Sequence, residues 1–545
     1  MADTVDEDRD HLHSLGYAQE LKRGMGTFSN FAISFSIISI LAGGFTSYWI
    51  GVTFGGPLVV TVGWLIVGLM ALFVGMSMGE ICSAYPTAGG LYFWSAKLAR
   101  KNSARWSWFT GWFNFIGQIG VIASVDYALA NYAVAFINLY SENADSPAIT
   151  PTAKNIFIVF LIVLASHGAL NTFGVRMVKT LGDISVWWHV VGVLVIFAIL
   201  FGGPDQHQDI SYLFKYQNNS AWSGGISTLY VFFLGFLLAQ YTITGFDASA
   251  HVSEETRGAR TSAPKAIVRS IWISAIAALV LNVAFLLATP DDLSKIDASV
   301  YGITFPVVIF QSVLGGFSAK LLVLITVVGQ YFCGMASVTA NSRMIYAFSR
   351  DGGLPLSNTW HKINPKTRTP TNAVWLGVCV SAVTGALSLL QHDGVSVAFF
   401  ALTGICVVGL YISYVIPVYL RLRNPDFQQG PWNLKGYSKL IGWISVAWVL
   451  FISILFFAPL FPAWKWWDSD QVNSANFAGP LIFLSFVFVG GWWAFSAKNW
   501  FTGPKVQGTK EELLAIEREL DALEHGAVPQ GLETPVVEHP HGHQH

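Results

Sequence analysis

A chain of 545 residues that is 53% hydrophobic and only 12% charged, with 21 Trp and a mean hydropathy of +0.50, is too apolar for a water-soluble protein. Its formal net charge of −1 supplies no basic footprint for nucleic acid, and its four cysteines form no Cys-x-x-Cys pair, so neither a disulfide framework nor a thiolate metal centre is expected. The composition is that of a polytopic, all-α membrane protein whose first partner is the lipid bilayer.

Residues 1–25 are acidic and polar with no short apolar core, so they read as a cytosolic amino-terminal tail and not as a cleaved signal peptide. Apolar runs near the roughly 20 residues that cross a bilayer then recur. They predict twelve spans, at about 28–54, 57–82, 106–138, 155–173, 184–202, 226–250, 267–288, 320–348, 372–390, 395–420, 440–461 and 478–496. With the amino terminus inside, only Lys154, Lys215, Lys295, Lys320 and Lys465 of the basic residues fall near outer loops. Those outer loops carry Glu142, Asp145, Asp205, Asp209, Asp291, Asp292, Asp297, Asp468 and Asp470, so the near-zero net charge hides two faces of opposite sign.

The first span holds Ser39-Ile40-Leu41-Ala42-Gly43-Gly44-Phe45. Paired glycines let a helix unwind without a side-chain clash, although glycine also serves close packing between membrane helices. A gap there exposes backbone amides, and the positive amino-terminal end of the second half suits a carboxylate. Asp126 in the third span can pair with an amine or with another helix, and His167 in the fourth reads as a packed core histidine. His189 lies well inside the fifth span, either as a neutral bundle histidine or as a group that loads and releases a proton.

The sixth span carries Tyr241-Thr242-Ile243-Thr244-Gly245-Phe246-Asp247 and then His251, and ionisable groups at membrane depth are expensive unless they face protein, water or ligand. A break at Thr244-Gly245 would offer carbonyls to an ammonium group, while Asp247 caps the following half-helix as an anion or, if desolvation dominates, takes a proton. Two interrupted spans five apart fit an inverted five-plus-five repeat, with residues 26–202 as the first half, 203–420 as the second and 421–505 as helices 11 and 12. Ala123-Ser124-Val125-Asp126 faintly echoes Ala336-Ser337-Val338-Thr339. Residues 506–545 read as a cytosolic helix, with a capping box at Thr509 and Glu512 and a stripe of Leu513, Ile516, Leu520 and Leu523, followed by a flexible end with His539, His541, His543 and His545.

Three separated motifs carry a resemblance. The stretch Glu80-Ile81-Cys82-Ser83-Ala84-Tyr85-Pro86-Thr87-Ala88-Gly89-Gly90-Leu91-Tyr92 is similar to the signature after the second helix of the amino acid, polyamine and organocation permeases. Gly245-Phe246-Asp247 with Glu254-Glu255 and Pro264 resembles their sixth helix, and Ser349-Arg350-Asp351-Gly352 with Leu354-Pro355, Thr369-Pro370 and Asn372-Ala373 their loop between helices eight and nine. Thr110 to Asn114, Ser124 to Asp126, Gln240 to Gly245 and Trp493 to Gly503 resemble the amino acid/choline transporter branch, which includes the plant bidirectional amino acid transporter and fungal GABA and choline permeases.

The resemblance implies a leucine-transporter-like fold with helices 1 and 6 broken. It places the amides of Ala42, Gly43 and Gly44, next to Phe45, on the substrate carboxylate, although Leu41 stands where the family usually has glycine. Tyr241 falls at the position of an aromatic lid, with packing as the alternative role, and Ile243, Thr244, Gly245 and Phe246 surround the unwound turn. His189 takes the place of a lysine that substitutes for a sodium ion in proton-dependent relatives, tying helix five to Ser337 and to helix-one carbonyls. Glu254 and Glu255 would latch to inner Arg or Lys, as would Glu80 and Arg343.

The implied function is alternating-access transport of GABA or a related amino acid, by proton symport or exchange, at the plasma membrane with both termini cytoplasmic. Choline is the competing substrate, and a nutrient sensor with a transporter core is the reading from another class. No His-Glu-x-x-His motif or Gly-x-x-x-x-Gly-Lys-Ser/Thr loop is present, so neither an enzyme nor an ATP-driven pump is expected, and no cofactor or metal is implied.

Overall fold

Lipid offers backbone amides and carbonyls no partner, so a chain this apolar satisfies them internally as helix. A computed structural model describes residues 2–141, 146–173, 175–222, 227–289, 302–389, 397–459 and 478–525. The acidic outer residues Glu142, Asp145, Asp291, Asp292, Asp297, Asp468 and Asp470, with Lys295, Lys465 and His539–His545, lie outside the described residues.

The helices are α1 Ala2–Leu15, α2 Thr27–Ile37, α3 Tyr48–Thr53, α4 Trp64–Ala84, α5 Gly90–Leu98, α6 Ser103–Asn138, α7 Ala153–Thr172, α8 Val175–Gly202, α9 Ser227–Leu234 and α10 Leu237–Thr242. There follow α11 Ala248–His251, α12 Ala259–Ala288, α13 Phe305–Val313, α14 Gly316–Arg350, α15 Ser357–Trp360, α16 Thr371–Gly385, α17 Val397–Leu422, α18 Ser438–Phe457, α19 Ala478–Phe495 and α20 Lys510–Glu524. Among the described residues, 11 helical segments are long and apolar enough to cross a bilayer, and Thr228–Thr242 is a shorter apolar one. A two-residue antiparallel pairing of Phe54–Gly55 with Gln217–Asn218 is the only sheet among the described residues.

Apolar side chains face both ways. Trp187, Val191 and Leu194 of α8 and Phe483, Leu484, Val487 and Phe488 of α19 are exposed, as lipid contact requires, whereas α6, α14 and α17 form the buried centre. α6 and α17 approach so closely that a Cβ at Gly117 would lie 2.7 Å from the Leu410 amide nitrogen and one at Gly409 would lie 3.0 Å from the Gly117 Cα.

Two spans leave helical geometry. α2 ends at Ile37, Ser39 is extended at φ −73° and ψ 111°, and a π-helical turn over Ile40–Gly44 leads on to α3. In the other, α10 ends at Thr242, Gly245 adopts φ +86°, and α11 begins at Ala248. Gly245 is required twice over, by its left-handed backbone and because a Cβ there would meet Ile37 Cγ2 at 2.2 Å.

The amino-terminal segment departs from the tail expected on composition. Its polar groups act as caps for other helices: Asp8 accepts from the Gly258 and Ala259 amides at 2.6 and 3.2 Å, at the start of α12, and His11 Nε2 lies 3.1 Å from the Ala84 carbonyl that ends α4. α20 has its capping box and buries Leu513 and Glu517 against this segment, where Glu517 meets His13 Nε2 and the Gln19 amide, each at 2.7 Å, and Glu524 meets Lys22. The amino-terminal segment and α20 therefore pack at one end of the bundle.

The close α6–α17 contact gives a first prediction. Gly117→Val forces the two backbones apart and lowers stability by about 1–3 kcal/mol, read as a lower thermal midpoint in detergent. Gly490→Val on α19, where nothing lies within 4 Å of the added Cβ, leaves the midpoint unchanged.

Candidate functional site

The two breaks touch. A Cβ on Gly43 would fall 2.8 Å from Thr242 Cα, so the π-helical turn lies directly on the end of α10. Beside this contact is a small cavity of about 10 Å³, lined by Ile37, Gly43, Val121, Val125, Tyr241, Thr242, Thr244, Cys333 and Cys406. A second cavity of about 10 Å³ shares Ile37 and Val121 and adds Gln118, Gly245, Asp247 and Ser337. Each has room for about one water and none for an amino acid, so the site is closed.

Side chains complete the backbone at each break. The Ala42 amide donates to Ser39 Oγ at 3.0 Å and the Gly43 amide to the Ser39 carbonyl at 2.9 Å. Tyr411 Oη donates to the Ile243 carbonyl at 2.7 Å, the Gly245 amide donates to Tyr414 Oη at 3.3 Å, and Ser34 donates to the Phe246 carbonyl at 2.9 Å. Thr244 Oγ1 returns to the Gln240 carbonyl at 2.6 Å, and Tyr241 Oη donates to Ser124 at 2.9 Å with its ring edge-on to Phe399. Phe45 packs on Phe285 and Phe310, away from the cavity lining, and Gly44 lies inside the π-helical turn. Leu41 is also absent from the lining. It points toward α14 and α8, where Gly329 and Gly192 leave it room.

The ionisable residues sort into separate groups. Asp247 accepts from Tyr414 at 2.7 Å, Asn114 at 3.0 Å and Gln118 at 3.3 Å, with His251 Nε2 at 3.2 Å. Asp126 pairs with His167 Nδ1 at 3.1 Å, bridging α6 and α7. His189 Nε2 lies 2.6 Å from Ser39 Oγ and its Nδ1 lies 2.8 Å from the Ser185 carbonyl. Ser337 is not among its partners; that hydroxyl donates to the Cys333 carbonyl at 2.8 Å.

Toward the termini, buried ion pairs join the helices. Arg343 Nε bonds Glu255 at 2.7 Å, Arg350 reaches Glu254 at 3.5 Å, and Arg350 stacks 3.7 Å over the Tyr17 ring. Glu80 pairs with Arg421 at 2.8 Å and not with Arg343. The Met25 amide donates to the Glu255 carbonyl and the Arg257 amide to the Met25 carbonyl, both at 2.9 Å, stitching the strand before α2 to the segment after α11.

Sequence reading missed the Asp247 shell and the two cavity thiols. Asn114 and Gln118, four apart on a membrane helix, were the available signal for the shell. Cys333 and Cys406 lie in apolar spans without a Cys-x-x-Cys pattern and gave none.

A multi-pass helical bundle whose broken spans meet at a small buried cavity is the architecture of a membrane transporter. The comparisons define it further. The amino acid permease family profile matches residues 25–494. The chain is 40% identical over 508 residues to "Amino-acid permease BAT1 homolog" of Oryza sativa subsp. japonica, covering 90% of this chain and 94% of that one. It is 38% identical over 513 residues to "Amino-acid permease BAT1" of Arabidopsis thaliana, covering 92% and 96%, and 29% identical over 539 residues to "Putative polyamine transporter" of Candida albicans, covering 95% and 92%. The chain belongs to the amino acid permease family; it is a multi-pass transporter of amino acids and not an enzyme.

The gate pairs give a second prediction. Arg343→Gln leaves the Glu255 carboxylate buried beside no cation and destabilises by about 3–5 kcal/mol. Arg343→Met combined with Glu255→Leu recovers most of the thermal midpoint in detergent.

Proposed function

We propose that this permease carries GABA or a closely related amino acid by alternating access, in a twelve-span fold whose helices 1–5 and 6–10 form an inverted repeat. Both termini lie in the cytosol, the protein sits in the plasma membrane, and protons or exchange drive the cycle. The observation that carries the reading is the contact between the two interrupted spans at the cavity containing Gly43, Tyr241 and Thr244. One break carries amides suited to a carboxylate and the other carbonyls suited to an ammonium, the two ends of a zwitterion. The packing of both terminal segments at the end that holds Arg343, Arg350 and Arg421 supports the orientation.

Hydrogen-bond roles supply a mechanism for proton coupling. The Ser185 carbonyl only accepts, so His189 Nδ1 carries a hydrogen; neutral Nε2 then accepts from the Ser39 hydroxyl, whose oxygen in turn accepts from the Ala42 amide. A proton added at Nε2 turns it into a donor and forces the Ser39 hydrogen elsewhere. A substrate carboxylate claiming the Ala42 amide acts on the same oxygen. Substrate and proton thus meet at Ser39, which links them without a direct contact.

Uptake into proteoliposomes by the full chain, with GABA, several α-amino acids, choline and polyamines, with and without a proton gradient or internal substrate, tests the reading; saturable choline uptake without amino acid uptake would refute it. His189→Ala flattens the pH dependence of uptake, and an unchanged profile removes His189 from coupling. Gly43→Val, whose side chain collides with the Thr242 backbone, abolishes saturable uptake in a protein that still folds.

A further inference from the structure

His251 occupies a position that the substrate site and His189 do not account for. Its imidazole is fully buried between two acceptors, with Nδ1 2.9 Å from the Ala88 carbonyl and Nε2 3.2 Å from Asp247 Oδ2. The carbonyl cannot donate, so Nδ1 carries a hydrogen, and one further proton must lie between Nε2 and Oδ2. The pair is either imidazolium with carboxylate or imidazole with carboxylic acid, neutral as a unit in both forms.

This shared proton sits at a mechanical junction. Ala88 belongs to the turn between α4 and α5, and while its carbonyl receives His251, its amide donates to Glu254 Oε1 at 2.9 Å. One residue of the turn is therefore pinned both to the sixth-span break and to the charged gate. Gly90, at φ +47°, keeps the imidazole side open, since a Cβ there would come within 3.3 Å of His251 Cε1. The remaining groups around the pair are neutral: Asn114 and Gln118 from α6 and Tyr414 from α17 all bond to Asp247, and Ser413 bonds Asn114 at 3.3 Å. The charges facing it from the gate are Glu254 and Arg350, which pair with one another, and beyond Arg350 lies Asp351, held by Tyr17 and Tyr92.

We propose that His251 is a positioning residue for transport: the single proton shared with Asp247 clamps the Tyr85–Gly90 turn to the broken sixth span, and either loss or gain of a proton releases the turn and the inner gate with it. Loss turns the Nε2 lone pair toward a carboxylate. Gain leaves an imidazolium against a carboxylic acid and takes from Asp247 an acceptor position that Asn114, Gln118 and Tyr414 compete for. The clamp depends on the permease assignment and not on which amino acid is carried or on His189.

Hydrogen exchange of residues 85–92 in the reconstituted full chain without substrate tests it. In wild type, protection corrected for intrinsic exchange is greatest at intermediate pH and falls on both sides. His251→Gln cannot titrate or hold both acceptors, so this segment exchanges about ten- to a hundredfold faster at the intermediate pH, as loss of one charge-assisted hydrogen bond implies, and without pH dependence. The same variant lowers the maximal uptake rate and loses one limb of its pH profile, and Asp247→Asn added to it has no further effect on exchange. Wild-type protection that does not vary with pH overturns the proposal regardless of how any variant folds, as does an unaltered pH profile in His251→Gln. Failure of GABA uptake alone leaves the exchange result standing.

Discussion

The fold depends on how two helix interruptions, deep in an apolar bundle, find partners for the backbone groups that they free. An unpaired peptide group in hydrocarbon costs several kcal/mol, so neither break is tolerable by glycine alone. Ser39 takes the Ala42 and Gly43 amides, Cys333 Sγ lies 3.3 Å from the Ile37 carbonyl, and Tyr411, Tyr414 and Ser34 serve the other break. Apart from Ser39, which lies in the break itself, these partners come from α2, α14 and α17, so the breaks are properties of the whole bundle. It follows that any ligand bound there must exchange one set of hydrogen bonds for another, which makes the breaks sensitive to occupancy.

Much of this was legible in the chain because membrane physics leaves few options. Eleven of the apolar runs reappear as helices, most with ends displaced by a few residues, although the first stops at Gly44 and the fifth and seventh begin eight residues early. Gly245 marked one break, whereas the other falls at Ile38–Ser39, ahead of Gly43 and Gly44, which lie inside the π-helical turn. The fifth span begins earlier than its apolar run, since Arg176, Lys179 and Asp183 occupy its first three turns and hid them from a hydropathy reading. Helix α1 was illegible for a related reason. Its polar residues look like a solvated tail until the ends of α4 and α12 that they cap are in place.

Partner identity was the least readable layer, because it depends on the rotation of one helix against another. His189 was recognisable as an anomaly in an apolar span, yet its partner is Ser39 and not Ser337, whose hydroxyl returns to its own helix. Asp126 likewise found His167, and Leu41 turned away from the cavity into the space left by Gly329. Residue type and spacing located these groups at membrane depth. Azimuth decided what each one touches.

The two ends of the passage are closed by different physics. At the end away from the termini, Phe45 and Tyr48 pack against Phe285, Phe305 and Phe310, so opening there exposes apolar area at roughly 25 cal/mol per Å². At the other end sit Arg343–Glu255 and Arg350–Glu254, for which Coulomb attraction and the desolvation cost of burial nearly cancel. Such pairs do little by themselves to hold the helices together. The terminal segments supply what they lack: Asp8 caps α12, Tyr17 bonds Asp351 beside Arg350, and Arg368 joins the carbonyls of Gln19 and Glu20 to Asp521 of α20. The amino-terminal segment and α20 thus brace the end of the bundle at which these ion pairs sit.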